Sequence, residues 1–351
     1  MRVCLVDRGE VSGATTGLGE GNVLCCDKRP GAELELARLG LEAYDEIEEL
    51  LGAEAGIRRK GALVVHTGAD SWEEEPGRVD ELRTAGIECS LVDASQVREA
   101  EPELRGELLG AASFPRDLQC DPRAIARGLA REAESLGAAV ETGRPVESVT
   151  VRGGRVEGIE ADGGLIGADA VVIAAGAWSE PLARRAGLDL PVEPRKGQLV
   201  RLERNPAFLR HKVIDGSYMA AVESEDADLR VSTVVETTLD SHVLVGSSRE
   251  RRGFDLSVEP SVSEALLESA ARIAPGIREL RVDAAWAGLR PWLPGGLPAI
   301  GPSAAAEGLW IATGHEGAGV AHGPITGRLI AQALTGETPD LDLGPFDPDR
   351  F

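Results

Sequence analysis

Arg290 lies in the stretch "WAGLRPWLPGGLPAIG", Trp286 to Gly301, with Trp286, Leu289, Pro291 and Trp292 around it. A guanidinium in apolar surroundings is costly unless an anion meets it. Its planar fork matches a carboxylate through two parallel, charge-assisted hydrogen bonds, which would also fix which C–H bond of a bound molecule faces a reaction partner. The competing reading is a surface ion pair, and the flanking tryptophans argue against it. Glycine-bearing turns follow apolar strands at three places, after Val6, after Ala174 and after Ala312. Several such turns on one edge of a single sheet suit an extended cofactor lying across that edge. The first apolar strand, in "MRVCLVDRGE", ends in Asp7, either a ribose-holding acid or the end of a surface strand before a turn.

Other chemistries lack their parts. The stretch "GAGVAHG", Gly317 to Gly323, has glycines near a dinucleotide fingerprint and opens a helix, but no strand and ribose acid follow, so a complete nicotinamide site is rejected. A helix N-terminus would instead offer N–H donors and positive dipole to a reduced ring that gathers charge. His315 stands just before it, either tuning such a ring or making a structural hydrogen bond. The other four histidines have no metal-ligand spacing, and no metal is assigned. Neither a Gly-x-Ser-x-Gly elbow nor a Gly-x4-Gly-Lys-Ser/Thr loop is present, which removes the usual parts for acyl and phosphoryl transfer.

The elements that must position these residues alternate between two patterns. "GEVSGATTGLGEGN" is a loop rich in backbone donors. The periodicity of Leu36, Leu39, Ala43, Ile47 and Leu50 predicts a solvent-facing amphipathic helix closed by Gly52. Asp121, Pro122 and Gly137 predict the cap, first turn and stop of a second helix. The run Ala170 to Ala174, apolar on both faces, predicts a strand in the middle of a parallel sheet. "KGQLVRL", "SYMAAVE", "LRVSTVVET" and "HVLVGSSRE" read as strands of an antiparallel sheet. The fold class expected is α/β, in an α+β two-domain arrangement. A Rossmann-like nucleotide-binding domain (1–59, 119–190 and 283–340) is interleaved with an antiparallel-sheet substrate domain (60–118 and 191–282), and 341–351 forms an acidic tail.

With 351 residues the chain can bury sizeable cores, and its net charge of −22 argues against a phosphate-backbone partner such as nucleic acid. Five cysteines without a CxxC pair suggest neither a disulfide framework nor a zinc site and fit a reducing cytoplasm. No apolar run is long enough for a membrane span, and no secretion signal opens the chain.

Jointly, "GLRP" (Gly288 to Pro291), "GLPAIG" (Gly296 to Gly301), "TGH" (Thr313 to His315), "VVIAAGAWS", "PRKGQLV" and "LVGSSRE" resemble, in order, the FAD-dependent D-amino acid oxidase superfamily, which includes glycine and sarcosine oxidases and related amino-acid dehydrogenases. The resemblance covers essentially the whole chain. It implies that Arg290 holds the substrate carboxylate and that Tyr218, in "DGSYMAAVE", lines the substrate cavity, a strand-packing aromatic being the alternative. It places Asp7 at the adenosine ribose, counts Arg8 among the cofactor-binding residues, and puts Thr15, Thr16, Gly19 and Gly21 in the pyrophosphate and flavin loop and Val146 near the adenine. Ala175, Gly176 and Trp178 would cross the cofactor, while Gly314, His315, Gly317, Gly319 and Val320 would flank the isoalloxazine, with Arg290 nearby. No cysteine lies near Pro291 or Trp292, where some relatives attach flavin, so FAD is expected to bind noncovalently.

The family begins with a strand and a Gly-x-Gly-x-x-Gly turn, whereas this chain opens at what resembles the second strand; a misplaced start is the expectation. The activity implied is oxidation of the C–N bond of a small amino acid or secondary amine by hydride transfer to flavin N5. "GHEGAG" and the segment Glu223 to Glu250 resemble catalytic subunits of multi-subunit amino-acid dehydrogenases, such as those acting on hydroxyproline or opines, so a partner subunit could carry the electrons away. The alternative is a truncated, flavin-free binding scaffold.

Overall fold

A computed structural model describes residues 1–223 and 228–351. The N-terminal third runs β1 (Cys4–Val6), α1 (Thr15–Leu18), β2 (Asn22–Val23), α2 (Ala32–Leu51), β3 (Ala62–His66), α3 (Ala69–Thr84), β4 (Ser90–Asp93), α4 (Ala94–Ala100), β5 (Gly110–Phe114) and β6 (Leu118–Gln119). The middle holds α5 (Pro122–Ser135), β7 (Ala139–Glu141), β8 (Val146–Arg152), β9 (Arg155–Ala161), β10 (Gly164–Gly167), β11 (Val171–Ile173), α6 (Ser179–Arg185) and β12 (Glu193–Arg204). There follow β13 (Lys212–Asp215), α7 (Tyr218–Glu223), β14 (Arg230–Thr237), β15 (His242–Arg249), α8 (Pro260–Ile273), β16 (Val282–Trp292), β17 (Ala299–Pro302), β18 (Leu309–Thr313) and α9 (Gly319–Thr335).

The largest sheet has the order β16-β12-β15-β14-β13-β3-β5-β4 and is antiparallel throughout except where β13 and β3 run parallel. The long crossover between those two strands is what a parallel pair demands. Helix α8 covers one face, packing Val262, Leu266 and Ile273 with Val200, Val213, Val243 and Val245. The expected domain boundary at 282/283 falls at the first residue of β16, which pairs with β12 as the edge of this sheet.

In the smaller sheets, β1 pairs in parallel with β7, and β11 in parallel with β18, which β17 joins antiparallel. Helix α2 lays Leu34, Leu41, Tyr44 and Ile47 into a core shared with Phe114, Leu118, Ile125 and Ala321. It approaches α9 so closely that a side chain at Gly40 would sit 2.4 Å from the Ala321 carbonyl oxygen. Helix α5 starts where its cap residues predict, the Asp121 carboxylate accepting from the N–H groups of Arg123 and Ala124 with Pro122 at the first position. The C-terminal 341–351 segment is tied down, with Phe346 buried and Asp349 accepting from Ser303 and Ala304.

Two expectations fail locally. "SYMAAVE" is largely helix, α7, not a strand: the Asp215 carboxylate accepts from the Ser217 N–H and turns the chain, and six residues are too few for periodicity to separate the two states. The run Ala170–Ala174 contributes β11 at an edge of its three-stranded sheet, with Val172 exposed, rather than at a sheet centre. An apolar run reports hydrophobicity, and which strands flank it is decided by distant chain. Of the segment Glu223–Glu250, residues 224–227 lie outside the described residues.

Candidate active site

Four loops meet where the small sheets abut β16. In the first, Asp7 donates its N–H to the Glu141 carbonyl and accepts from the Arg144 N–H, which sets it beside the start of β8 at Val146. Its carboxylate accepts from the Gly9 N–H at 2.7 Å. The Arg8 guanidinium lies 3.9 Å above the Trp178 ring, which itself stacks on Phe254. That contact joins the first loop to the second, Ala175 to Trp178, where Gly176 has φ +54° and a side chain would meet nothing within 4 Å. The Thr313 hydroxyl donates to the Gly176 carbonyl and accepts from Ser179, so the end of β18 is linked to that turn.

Helix α1 bridges to the third loop. Thr15 donates to the Leu289 carbonyl at 2.7 Å, Trp286 donates to the Leu18 carbonyl at 3.0 Å, and Thr16 stands exposed alongside. Gly19 faces Val320 at the start of α9, whose carbonyl accepts from Tyr44. Gly21 points the other way: at φ +76° it is pressed against Cys120, whose N–H donates to the Gly21 carbonyl. The fourth loop, Gly314 to Val320, carries Gly317 and Gly319 exposed, and α9 begins without a side-chain cap. No side chain caps it and no acid lies within its first turn, although Glu316, just before it, accepts from the Gly317 N–H. His315 accepts from or donates to Thr326 at 3.0 Å, and burial pulls its pKa down to about 4. The ring nitrogens of His322, fully buried behind it, have no hydrogen-bond partner.

Arg290 stands at the centre of a charged cluster. In the β12–β16 ladder it lies directly opposite Arg195, so both side chains share a face. The absence of a side chain at Gly197 makes room for it, since a Cβ there would fall 1.9 Å from Arg290 Nη1. One guanidinium nitrogen donates to the Ser248 carbonyl at 2.9 Å. Arg249, at the end of β15, donates to the Tyr218 hydroxyl at 2.9 Å and to Glu316 at 3.2 Å. Glu316 Oε1 is the common counter-ion, 3.7 Å from Arg195 and 3.9 Å from Arg290. Burial opposes its ionisation, but Arg249, Arg290 and Arg195 outweigh that and hold its pKa at about 2. Burial, with Arg249 and Arg290 nearby, lowers Arg195 to about 10, and burial raises the Tyr218 phenol. Tyr218 is thus a neutral hydroxyl that accepts from a guanidinium, leaving its own proton to donate.

The structure brings Arg290 and Tyr218 together through Arg249 and Glu316, two residues that sequence reasoning did not single out, along with Arg195. All three lie in the quoted motifs "PRKGQLV", "LVGSSRE" and "GHEGAG". A signal was available in Glu316, a lone acid in a glycine loop otherwise suited to receiving negative charge.

The eight-stranded sheet thus presents a buried arginine to the meeting point of glycine turns. The family described as FAD dependent oxidoreductase (DAO) matches residues 1–333, and the chain belongs to that family. It is 31% identical over 359 residues to glycine oxidase of Pseudomonas putida, covering 99% of this chain and 92% of that one. It is 30% identical over 313 residues to hydrogen cyanide synthase subunit HcnC of Pseudomonas aeruginosa, covering 88% of this chain and 71% of that one. The crystal structure of glycine oxidase from Geobacillus kaustophilus superposes with a TM-score of 0.89 at 26% identity, over 100% of this chain and 92% of the other. The chain is therefore an oxidoreductase of the D-amino acid oxidase superfamily, and the expected mixed α/β fold of that superfamily is the one observed. The family implies FAD, and the residues present fit it: the uncapped start of α9, the open face of Gly176 and the unpartnered His322 ring adjoin one another through the Thr313 and His315 contacts. Among the described residues no helix is long and apolar enough to cross a membrane.

Proposed function

We propose that this enzyme oxidises the C–N bond of a small amino acid or secondary amine, with Arg290 holding the substrate carboxylate. The observation that carries the reading is Arg290 itself, only 15% exposed, at the junction of the glycine turns and with donors left beyond its bond to Ser248. In this reading Asp7, Arg8 and Val146 hold the adenosine end of FAD, and Thr15, Thr16, Gly19 and Gly21 shape the loop along the pyrophosphate. Ala175, Gly176 and Trp178 cross it, and Gly314, His315, Gly317, Gly319 and Val320 flank the ring. When bound, FAD supplies the two-electron acceptor, at N5, for the hydride leaving the carbon next to nitrogen.

The protein's part is orientation and electrostatics. Arg290 grips the carboxylate bidentately and Tyr218 donates to it, which aims one C–H bond at the ring. The start of α9 stabilises negative charge gathered there. Neutral His315 adds no repelling or attracting charge, because burial keeps its proton off. The amine must present its free electron pair, and the oxidised product is an imine that water hydrolyses to a carbonyl compound and the released amine.

Noncovalent attachment is supported by the lack of cysteine near Pro291 or Trp292. A partner subunit is the proposed electron outlet, supported by "GHEGAG" and by a relative that is itself named a subunit. Free cysteines throughout support a cytoplasmic location. The test of the central reading is substrate-driven bleaching of bound flavin without oxygen, compared between this enzyme and its Arg290→Ala variant. Loss of bleaching in the variant, with flavin retained, supports it. Equal bleaching would remove Arg290 from the reaction.

A further inference from the structure

We infer that Glu20 receives the nitrogen of the substrate, its Oε1 accepting an N–H hydrogen bond while Arg290 holds the carboxylate. The inference rests on the proposed function and deepens it: the site grips its substrate at both ends, as an amino acid with hydrogen on nitrogen, and not by the acid group alone.

The large sheet fixes the two positions. Val200 and Val245 pair across β12 and β15 and pack with α8. Side chains alternate along a strand, so Leu199 and Gly246 point to the opposite face. Gly197, two residues from Leu199, lies on that face too, and its missing side chain is the gap that holds the Arg290 guanidinium. Gly246 leaves a second gap, where a Cβ would fall 2.3 Å from Glu20 Oε1 and 2.6 Å from Leu199 Cδ2. Two residues along a strand and one strand across come to roughly 8 Å. An amino acid held at each end by a hydrogen bond of about 2.9 Å, with its own width between them, spans that distance.

Glu20 reaches the sheet from the glycine loop, where Gly19 lies against Val320 and Gly21 against Cys120. Its carboxylate is anchored by one oxygen. Oε2 accepts from Asn22 at 2.8 Å and from Lys212 at 3.3 Å, and Lys212 is shared with Glu236 at 3.1 Å. Oε1 has no donor among the described residues, and the side chain is 9% exposed. A carboxylate oxygen withdrawn from bulk water and lacking a donor is a place for one. Its charge also acts on both groups assigned to the substrate's acid. Burial and Arg249 lower the Arg290 pKa against a pull that includes Glu20, and burial raises that of Tyr218 with Asp27 and Glu20 adding to it. A bound ammonium or amine completes the shell of Oε1, whereas carbon in the place of nitrogen leaves it unmet.

The test is calorimetric titration of the FAD-loaded enzyme, photoreduced under argon so that it can take up no hydride. Glycine is compared with propionate, and each enantiomer of proline with cyclopentanecarboxylate; within each pair the shape is kept and carbon replaces nitrogen. In at least one pair the amino acid is expected to bind about tenfold more tightly or better, the size of a charge-assisted hydrogen bond. Glu20→Gln removes the charge, and Gly246→Ala places a carbon where Oε1 lies. Each should bring that ratio toward one while the carboxylic acid binds as before, and the two act from different segments, so one that fails to fold leaves the other. A ratio near one in the parent, or a parental ratio in either folded variant, overturns the role of Glu20 and leaves the proposed function standing. A parent that binds none of these acids overturns both.

Discussion

Replacing Glu316 by glutamine removes a negative charge that lies within 4 Å of three buried guanidiniums while keeping the side chain's shape. The carboxyl titrates at about 2 against an ordinary 4.5. At about 1.4 kcal/mol per pH unit, that difference is worth roughly 3 kcal/mol to the folded state. A lowered acid contributes this above its unfolded value and loses it as pH falls toward its folded one. Glu316→Gln should therefore lower the unfolding free energy by roughly 3 kcal/mol at pH 7, in the range for breaking a buried ion pair. The gap should narrow as pH falls from 4.5 toward 2. The assay is urea unfolding of both proteins at pH 7, 4 and 3 in buffer without multivalent anions. A variant within about 0.5 kcal/mol of its parent at pH 7, the scatter of an ordinary surface substitution, would refute the idea that Glu316 is the counter-ion of the cluster.

Arg290→Lys keeps a charge but loses the bidentate fork, and kcat/KM for an amino acid should fall about a hundredfold or more in steady-state assays. Lys212→Met removes one of the two cations on buried Glu236, which keeps Lys60, and the cation on Glu20, and should cost about 3 kcal/mol by urea unfolding. Gly314→Ala, at φ +84° with its new carbon 2.1 Å from Leu293, should lower stability by about 1–3 kcal/mol in the same assay. His315 is kept neutral by burial, so the unfolded chain binds its proton first and stability should drop as pH falls from 6.5 to 4; thermal melts of His315→Asn should show a flatter pH dependence across that window.

What was legible in the chain was whatever local spacing dictates. The helical period of α2 and the Asp121–Pro122 start of α5 are set by neighbours within one or two turns, and both helices formed, although the buried face of α2 takes in Leu34, Leu41 and Tyr44 and leaves Leu50 of the expected stripe exposed. Arg290 could be found because its apolar flanks are its neighbours in sequence. Arg195 could not: it meets Arg290 only through the register of β12 on β16, a pairing of distant segments. Arg249 and Glu316 are likewise joined by folding, so each looked like an ordinary charged residue beside a turn. The misreading of α7 has the same origin, since its start depends on one side-chain bond from Asp215. The edge position of β11 depends on which strands lie beside it, which its own five apolar residues do not encode.

The most direct test of the account is the visible absorption of the FAD-loaded enzyme after desalting, followed without oxygen as an amino acid is added. The account predicts a flavin band that survives desalting and bleaches on adding the amino acid, and that no longer bleaches in Arg290→Ala. A protein that retains no flavin, or whose flavin stays oxidised with every amino acid and secondary amine tried, would contradict it.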